Sequence, residues 1–304
     1  MNEQKLNMVP VFYSPLYVGS GYAFDTTRKS KWVADSLSAQ PVPGIDLRVP
    51  HPLTREQITG VHCPDYVLAV EKGEPRSLAE SQGFSWDAGL WPMVLASNGG
   101  VVQAALVALH CGVAGSLSSG LHHARYGQGR GFCTFNGLVI AAHAALAAGA
   151  KSVLILDLDA HCGGGTHSLI KDAQRIWQID VSVSNFDSYV PSERTSLHVL
   201  RDAAAYLSLI VNQLREVESH APRFDLCLYN AGMDPSEDCD IGGISGMSRE
   251  ILGERERIVF DWCKERRVPV AFVLAGGYIG ERLNESGLVE LHRLTLSAAA
   301  RMNS

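Results

Sequence analysis

Two kinds of apolar pattern alternate along the chain. Short apolar runs rich in β-branched and aliphatic residues occur at Val9–Tyr13, Val153–Leu156, Ile176–Val183, Leu226–Tyr229 and Val268–Leu274. The most continuous of these, Val153–Leu156, predicts a strand buried on both faces, as in a parallel sheet. Between several of the runs lie longer stretches with helical character: Gly99–Val113, Gly137–Ala148, Ala203–Glu218 and Arg249–Arg266. The last carries Glu/Arg pairs, which its spacing assigns to a solvated face. Strands alternating with helices predict the α/β class, with a doubly wound, mostly parallel sheet. Residues 14–95 are rich in Pro, Gly and Ser. They are expected as irregular segments forming the rim of a pocket. No repeat, low-complexity tract or linker divides the sequence, so residues 1–304 are expected to form one domain.

Polar residues collect where the predicted strands end. Val153–Leu156 runs directly into Asp157, Asp159 and His161. Ligand sites of open α/β sheets lie at the carboxyl ends of strands. Side chains at i and i+2 on a strand share a face, so Asp159 and His161 are expected to converge on one ion. Asp234, just past Leu226–Tyr229, is in a position to reach the same ion. Two carboxylates and one imidazole leave a coordination position open for water, as a catalytic zinc requires. His122-His123, read as a loop, offers a general base or acid. Tyr278 follows Gly276-Gly277. Its phenol is placed to donate a hydrogen bond to a developing oxyanion. Taken singly, Asp157 reads as a helix cap, the His pair as solvated and Tyr278 as packing. Those readings weaken because all four clusters follow strands or Gly-rich turns.

Other stretches remove alternatives. Gly163-Gly164-Gly165 has neither GxGxxG nor GK[ST], so it is expected as a sharp turn beside a ligand and not as a phosphate loop. A net charge of 26 − 32 = −6 gives no electrostatic footprint for nucleic acid. The seven cysteines are scattered, with no CxxC pair, and are expected to be reduced thiols. The N-terminus lacks a signal-peptide layout, and no apolar run approaches the roughly 18 to 20 residues of a membrane span. These features predict a cytoplasmic protein.

Five ordered motifs resemble the histone deacetylase superfamily of the arginase/deacetylase fold. They are Gly120-Leu-His122-His123-Ala124, Gly131-Phe-Cys-Thr-Phe-Asn136, Asp157-Leu-Asp-Ala-His161, Asn230-Ala-Gly-Met-Asp234 and Leu274-Ala-Gly-Gly-Tyr278. Weaker similarity begins at Val61-His-Cys-Pro-Asp-Tyr-Val67. The motif forms are most similar to class IV members and their bacterial relatives. The resemblance implies a central sheet of about eight strands flanked by helices. It implies a zinc-dependent amidohydrolase that removes acetyl or longer fatty acyl groups from lysine side chains. Asp159, His161 and Asp234 would bind zinc, with iron(II) as the alternative metal. His122 and His123 would handle protons, Asp157 would hold His122, and Tyr278 would complete the oxyanion site. Gly131 and Phe132 would line the acyl-lysine tunnel, with Ile241 near its mouth. A structural potassium ion would sit behind the zinc on Asp157, Asp159, His161 and Ser182.

The family usually reads Asp-x-His-His-Gly-(Asp/Asn)-Gly, whereas this chain reads His161-Cys162-Gly163-Gly164-Gly165. Cys162 is expected to pack. Gly164 stands where an Asp or Asn orients the second His, so His123 is expected to lose a side-chain partner, with water or a carbonyl in the gap. Two other substrates or roles fit the same motifs: an acetylpolyamine or other small-molecule deacetylase, and a catalytically impaired acyl-lysine binding protein. A di-manganese ureohydrolase shares the fold, but the chain has no Asp-Ala-His-x-Asp string.

Overall fold

Apolar runs become the strands of one parallel sheet. The computed structural model describes residues 8–21 and 24–303. Its strands are β1 (Val9–Phe12), β2 (Ile45–Arg48), β3 (Val113–Ser116), β4 (Val153–Asp157), β5 (Ile176–Ser182), β6 (Thr195–Val199), β7 (Leu226–Gly232) and β8 (Val270–Ala275). They lie in the order β2-β1-β3-β8-β7-β4-β5-β6. Every pairing is parallel. β3, β4, β7 and β8 are buried at every position. This is the burial that continuous apolar runs predict.

The helices are α1 (Asp25–Ala39), α2 (Arg55–Thr59), α3 (Pro64–Lys72), α4 (Arg76–Ala79), α5 (Leu90–Cys111), α6 (Gly137–Ala147), α7 (Gly164–Ile170), α8 (Tyr206–His220), α9 (Arg249–Arg266) and α10 (Glu285–Ala300). They cover both faces of the sheet, which carry separate apolar cores. The result is a single-domain α/β fold, as expected.

Three expectations need correction. Residues 14–95 are not mainly irregular: α1 to α4, β2 and the start of α5 fall within them. α5 begins nine residues before Gly99, because Gly99 and Gly100 are buried packing positions inside the helix and not a break. Its 22 residues also meet the length and composition of a membrane span, although most of that stretch is buried inside the fold. Finally, α9 is not solvated along all its charges. Arg257 pairs with Glu254 and Asp261 at the surface. Arg255 and Glu256, however, are wholly buried.

Candidate active site

Five neighbouring strands deliver polar residues to one place. β3, β8, β7, β4 and β5 are consecutive in the sheet. Beyond their carboxyl ends lie His122 and His123, Tyr278, Asp234, the pair Asp159 and His161, and Asp187, respectively. Parallel strands all end on the same edge, so residues far apart in sequence meet there.

Asp159 and His161 do converge, but not by the pleat of a strand. β4 stops at Asp157, and the chain bends beyond it. His161 N donates to Asp159 Oδ1 at 2.9 Å, and Ala160 N donates to Asp234 Oδ1 at 3.0 Å. The bend brings His161 Nδ1 to 3.2 Å from Asp159 Oδ1 and 3.0 Å from Asp234 Oδ2. One ligand atom from each of the three residues lies within 4.8 Å of the others. The His161 side chain keeps 12% exposure, which leaves one side of the cluster facing the cleft. A Cβ on Gly276 would run into Asp234 Oδ1 and stand 2.8 Å from Asp159 Oδ2, so glycine leaves the carboxylates their space.

This donor set fits a divalent ion. Burial disfavours charge on His161, but its hydrogen bonds to Asp159 and Asp234 overcome this and lift its pKa to about 10. A proton there balances the charge that a metal ion balances when bound. Burial also works against charge on Asp159, yet His122 and His161 hold its carboxyl well below the usual range. Burial and the Asp159 charge push Asp234 up to about 6.

The histidine rings lie side by side, with centroids 4.0 Å apart, and both are buried. His122 Nδ1 donates to Asp157 Oδ2 at 2.7 Å, and Asn230 Nδ2 donates to Asp157 Oδ1 at 2.8 Å. Burial opposes charge on His122, but Asp157 and Asp159 outweigh it and raise its pKa to about 10. Burial and then the His122 charge lower His123 to about 4. His123 is not left without a side-chain partner. Its Nδ1 lies 3.1 Å from Asp187 Oδ2, so a carboxylate, not water or a carbonyl, occupies the gap at Gly164.

Tyr278 follows β8 and is 8% exposed. Burial first, then the charges of Asp234 and Asp159, raises its phenol well above the ordinary value. Gly131 lies against the His123 ring and Phe186. Phe132 stacks between Phe24 at 4.4 Å and Phe84 at 5.6 Å. It also lines a narrow recess of about 20 Å³ with Tyr17, Phe84, Met93 and Leu121. Ile241 is 42% exposed, one residue before Gly242, which packs on His161. Ser182 is buried and donates to Asp180 Oδ1 at 2.5 Å. Cys162 is buried, as a packing residue is.

Four residues at or under the site were not foreseen. Asp180 faces Asp157 across the β4–β5 register. Phe186 meets His123 edge to face at 5.0 Å. Asp187 supports His123. Arg255 lies beneath, donating to the carbonyls of Leu158 at 3.2 Å and Gly232 at 2.6 Å.

Comparison with known proteins settles the family. The histone deacetylase domain matches residues 24–293. The chain belongs to the histone deacetylase family. Membership makes it a histone deacetylase-like hydrolase acting on amides. An uncharacterised protein of Picosynechococcus is 34% identical over 244 residues, covering 79% of this chain and 80% of that protein. Histone deacetylase 2 of Arabidopsis thaliana is 29% identical, covering 63% of this chain and 54% of that protein. The fold is shared with the crystal structure of acetylpolyamine aminohydrolase from Burkholderia pseudomallei, with a TM-score of 0.80 at 17% identity. That match covers 97% of this chain and 99% of the other. It is shared equally with the HD domain of HDA15, with a TM-score of 0.79 at 18% identity, covering 97% of this chain and 90% of the other.

Proposed function

We propose that residues 1–304 form one catalytic domain that removes acyl groups, from acetyl to longer fatty acyl, from lysine side chains. One observation carries this reading: Asp159, His161 and Asp234 face one another beside two buried histidines whose Nδ1 atoms each meet a carboxylate. The three ligands would hold a zinc ion, or iron(II). When bound, that ion supplies Lewis acidity, polarising the acyl carbonyl and making water a better nucleophile. The protein's own groups do the rest. With Nδ1 of each ring engaged, Nε2 is the atom left for proton traffic in the cleft. The histidine pair takes a proton from the attacking water and gives one to the departing amine, so that amide and water become carboxylate and ammonium. Tyr278 donates a hydrogen bond to the acyl oxygen as charge develops on it.

Gly131 and Phe132 form the wall along which the lysine stem lies, with Ile241 at the rim. A potassium ion would lie behind the site near Asp157, Asp159, His161 and Ser182. Support comes from Asp180, a second buried carboxyl opposite Asp157 in the sheet, which burial and that neighbour push well up. Seven free cysteines are in keeping with a cytoplasmic setting.

An acyl series on one lysine peptide, run beside acetylpolyamines, tests the proposal. Turnover of the peptide, abolished by a chelator and restored by zinc, is the expected result. Turnover of the acetylpolyamines alone moves the substrate to small amines. No turnover of either, with zinc bound, refutes the reading.

A further inference from the structure

The carboxylate missing from Gly164 is present in space but comes from elsewhere in the chain. Asp187 lies in the loop after β5, with its side chain 1% exposed. Its Oδ2 faces His123 Nδ1 at 3.1 Å and accepts from Gly165 N at 3.1 Å. A Cβ added at Gly164 would run into the Asp187 carbonyl oxygen and stand 3.0 Å from its carboxylate carbon. With the loop after β5 this close, position 164 has no room for a side chain. Asp187 also adopts a left-handed backbone, with φ of 60°, a conformation a non-glycine residue enters at some cost.

We propose that Asp187 is the positioning residue for His123, delivered by the loop after β5, and that Gly164 and Asp187 form a matched pair. The donor–acceptor relation fixes the ring. A carboxylate accepts, so His123 carries its proton on Nδ1 and presents Nε2 to the cleft. Asp187 is itself anchored by ion pairs with Arg125 and, at 3.5 Å, Arg130. Arg130 lies 5.1 Å over the ring of Phe186, which packs on His123. The support of His123 is therefore fastened to the rim of the cleft, where a support carried on α7 would be fastened to the interior.

This inference rests on the deacylase reading for why the tautomer matters, so its test has two readouts. The first is the imidazole ¹⁵N spectrum of His123 in metal-free protein. Wild type is expected to show the Nδ1-protonated tautomer, lost in Asp187→Ala. The second is turnover with zinc. Asp187→Ala is expected to lower kcat by about 10- to 100-fold with KM little changed, the range typical of such supporting groups. Asp187→Asn, which can still accept the bond, is expected to fall between wild type and Asp187→Ala. It also guards against a variant that fails to fold. The decisive variant displaces the group without removing it: Gly164→Ala, whose Cβ would meet the Asp187 carbonyl oxygen, is expected to push the loop after β5 off His123 and to reproduce both effects. An unchanged ¹⁵N spectrum in Asp187→Ala, or a Gly164→Ala protein with the wild-type spectrum and turnover, overturns the inference. If the spectrum responds while wild type turns over no acylated amine, the inference stands and the deacylase reading falls.

Discussion

Replacing Arg255 by Ala is expected to cost about 4 kcal/mol of stability and to loosen the metal site. Arg255 is wholly buried and donates to five partners: Gly232 O at 2.6 Å, Leu158 O at 3.2 Å, Tyr206 Oη at 3.3 Å, Glu256 Oε1 at 2.5 Å and Met233 Sδ at 3.6 Å. Two separate losses follow from its removal. Glu256 becomes a buried charge without its cation, a change that typically costs about 3–5 kcal/mol. Two strand-end carbonyls also lose a charged donor, each worth about 1–3 kcal/mol when left unmet. The terms share one cavity, which water can enter, so the sum falls short of strict addition. Leu158 immediately precedes Asp159, and Gly232 lies two residues before Asp234. Zinc affinity is therefore expected to fall about 10- to 100-fold, as when other supports of metal ligands are removed. Urea unfolding of metal-free protein measures the first effect, and zinc titration with a competing chelator measures the second. Arg255→Met with Glu256→Leu provides the control. Removing both charges is expected to recover at least about 2 kcal/mol relative to Arg255→Met alone, because an apolar pair carries no orphaned charge. A loss below about 1 kcal/mol in Arg255→Ala, or a double variant less stable than the single one, refutes the reasoning.

Three further outcomes are expected. Zinc must displace the proton that Asp159 and Asp234 hold on His161, whose pKa is raised to about 10. Affinity should therefore rise about tenfold per pH unit from pH 7 to 9 and level off above about 10. Calorimetry in buffers of different ionisation heat should show about one proton released at pH 7.5, and a pH-independent affinity contradicts this. Asp157→Asn removes the carboxylate facing His122 Nδ1 at 2.7 Å. It should lower kcat by about 10²- to 10⁴-fold, the usual worth of a proton-transfer group, and steady-state kinetics with zinc-loaded protein showing less than a twofold loss would exclude that role. Phe84→Trp enlarges the ring that stacks on Phe132 at 5.6 Å and narrows the path beside it. The ratio of myristoyl to acetyl turnover should drop at least about tenfold, and a ratio unchanged in competition assays places long acyl chains elsewhere.

Much of the site was legible because strand ends announce it. An apolar run passing into Asp157, Asp159 and His161 marks the carboxyl edge of a parallel sheet whatever the neighbouring strands are. Edge elements were harder to read. β2 is at most half-buried and β6 mostly so, so neither had to be an apolar run. β3 does not stand out from the preceding helix, whose expected range Gly99–Val113 takes in its first residue, because Val113-Ala114-Gly115-Ser116 continues the same small, apolar composition. α1 is largely polar and shows only a narrow apolar stripe, with Val33 and Leu37 buried. Asp187 could not be found by spacing. Its partner is 64 positions away along the chain, and the contact exists only once α7 packs against the His122–His123 backbone. The missing side chain at Gly164 was the one available signal. It says that something fills the space, but not from where.

The place of β8 has a consequence for how the chain is made. It comes last in sequence among the eight described strands, yet it lies in the middle of the sheet, between β3 and β7. Until residues 270–275 leave the ribosome, β1–β3 and β4–β7 are two half-sheets, each with an apolar, unpaired edge where β8 will insert. Such edges recruit other chains. The nascent domain is thus most prone to misassociation just before β8 emerges, and its cleft, with Tyr278 still to arrive, assembles only after that.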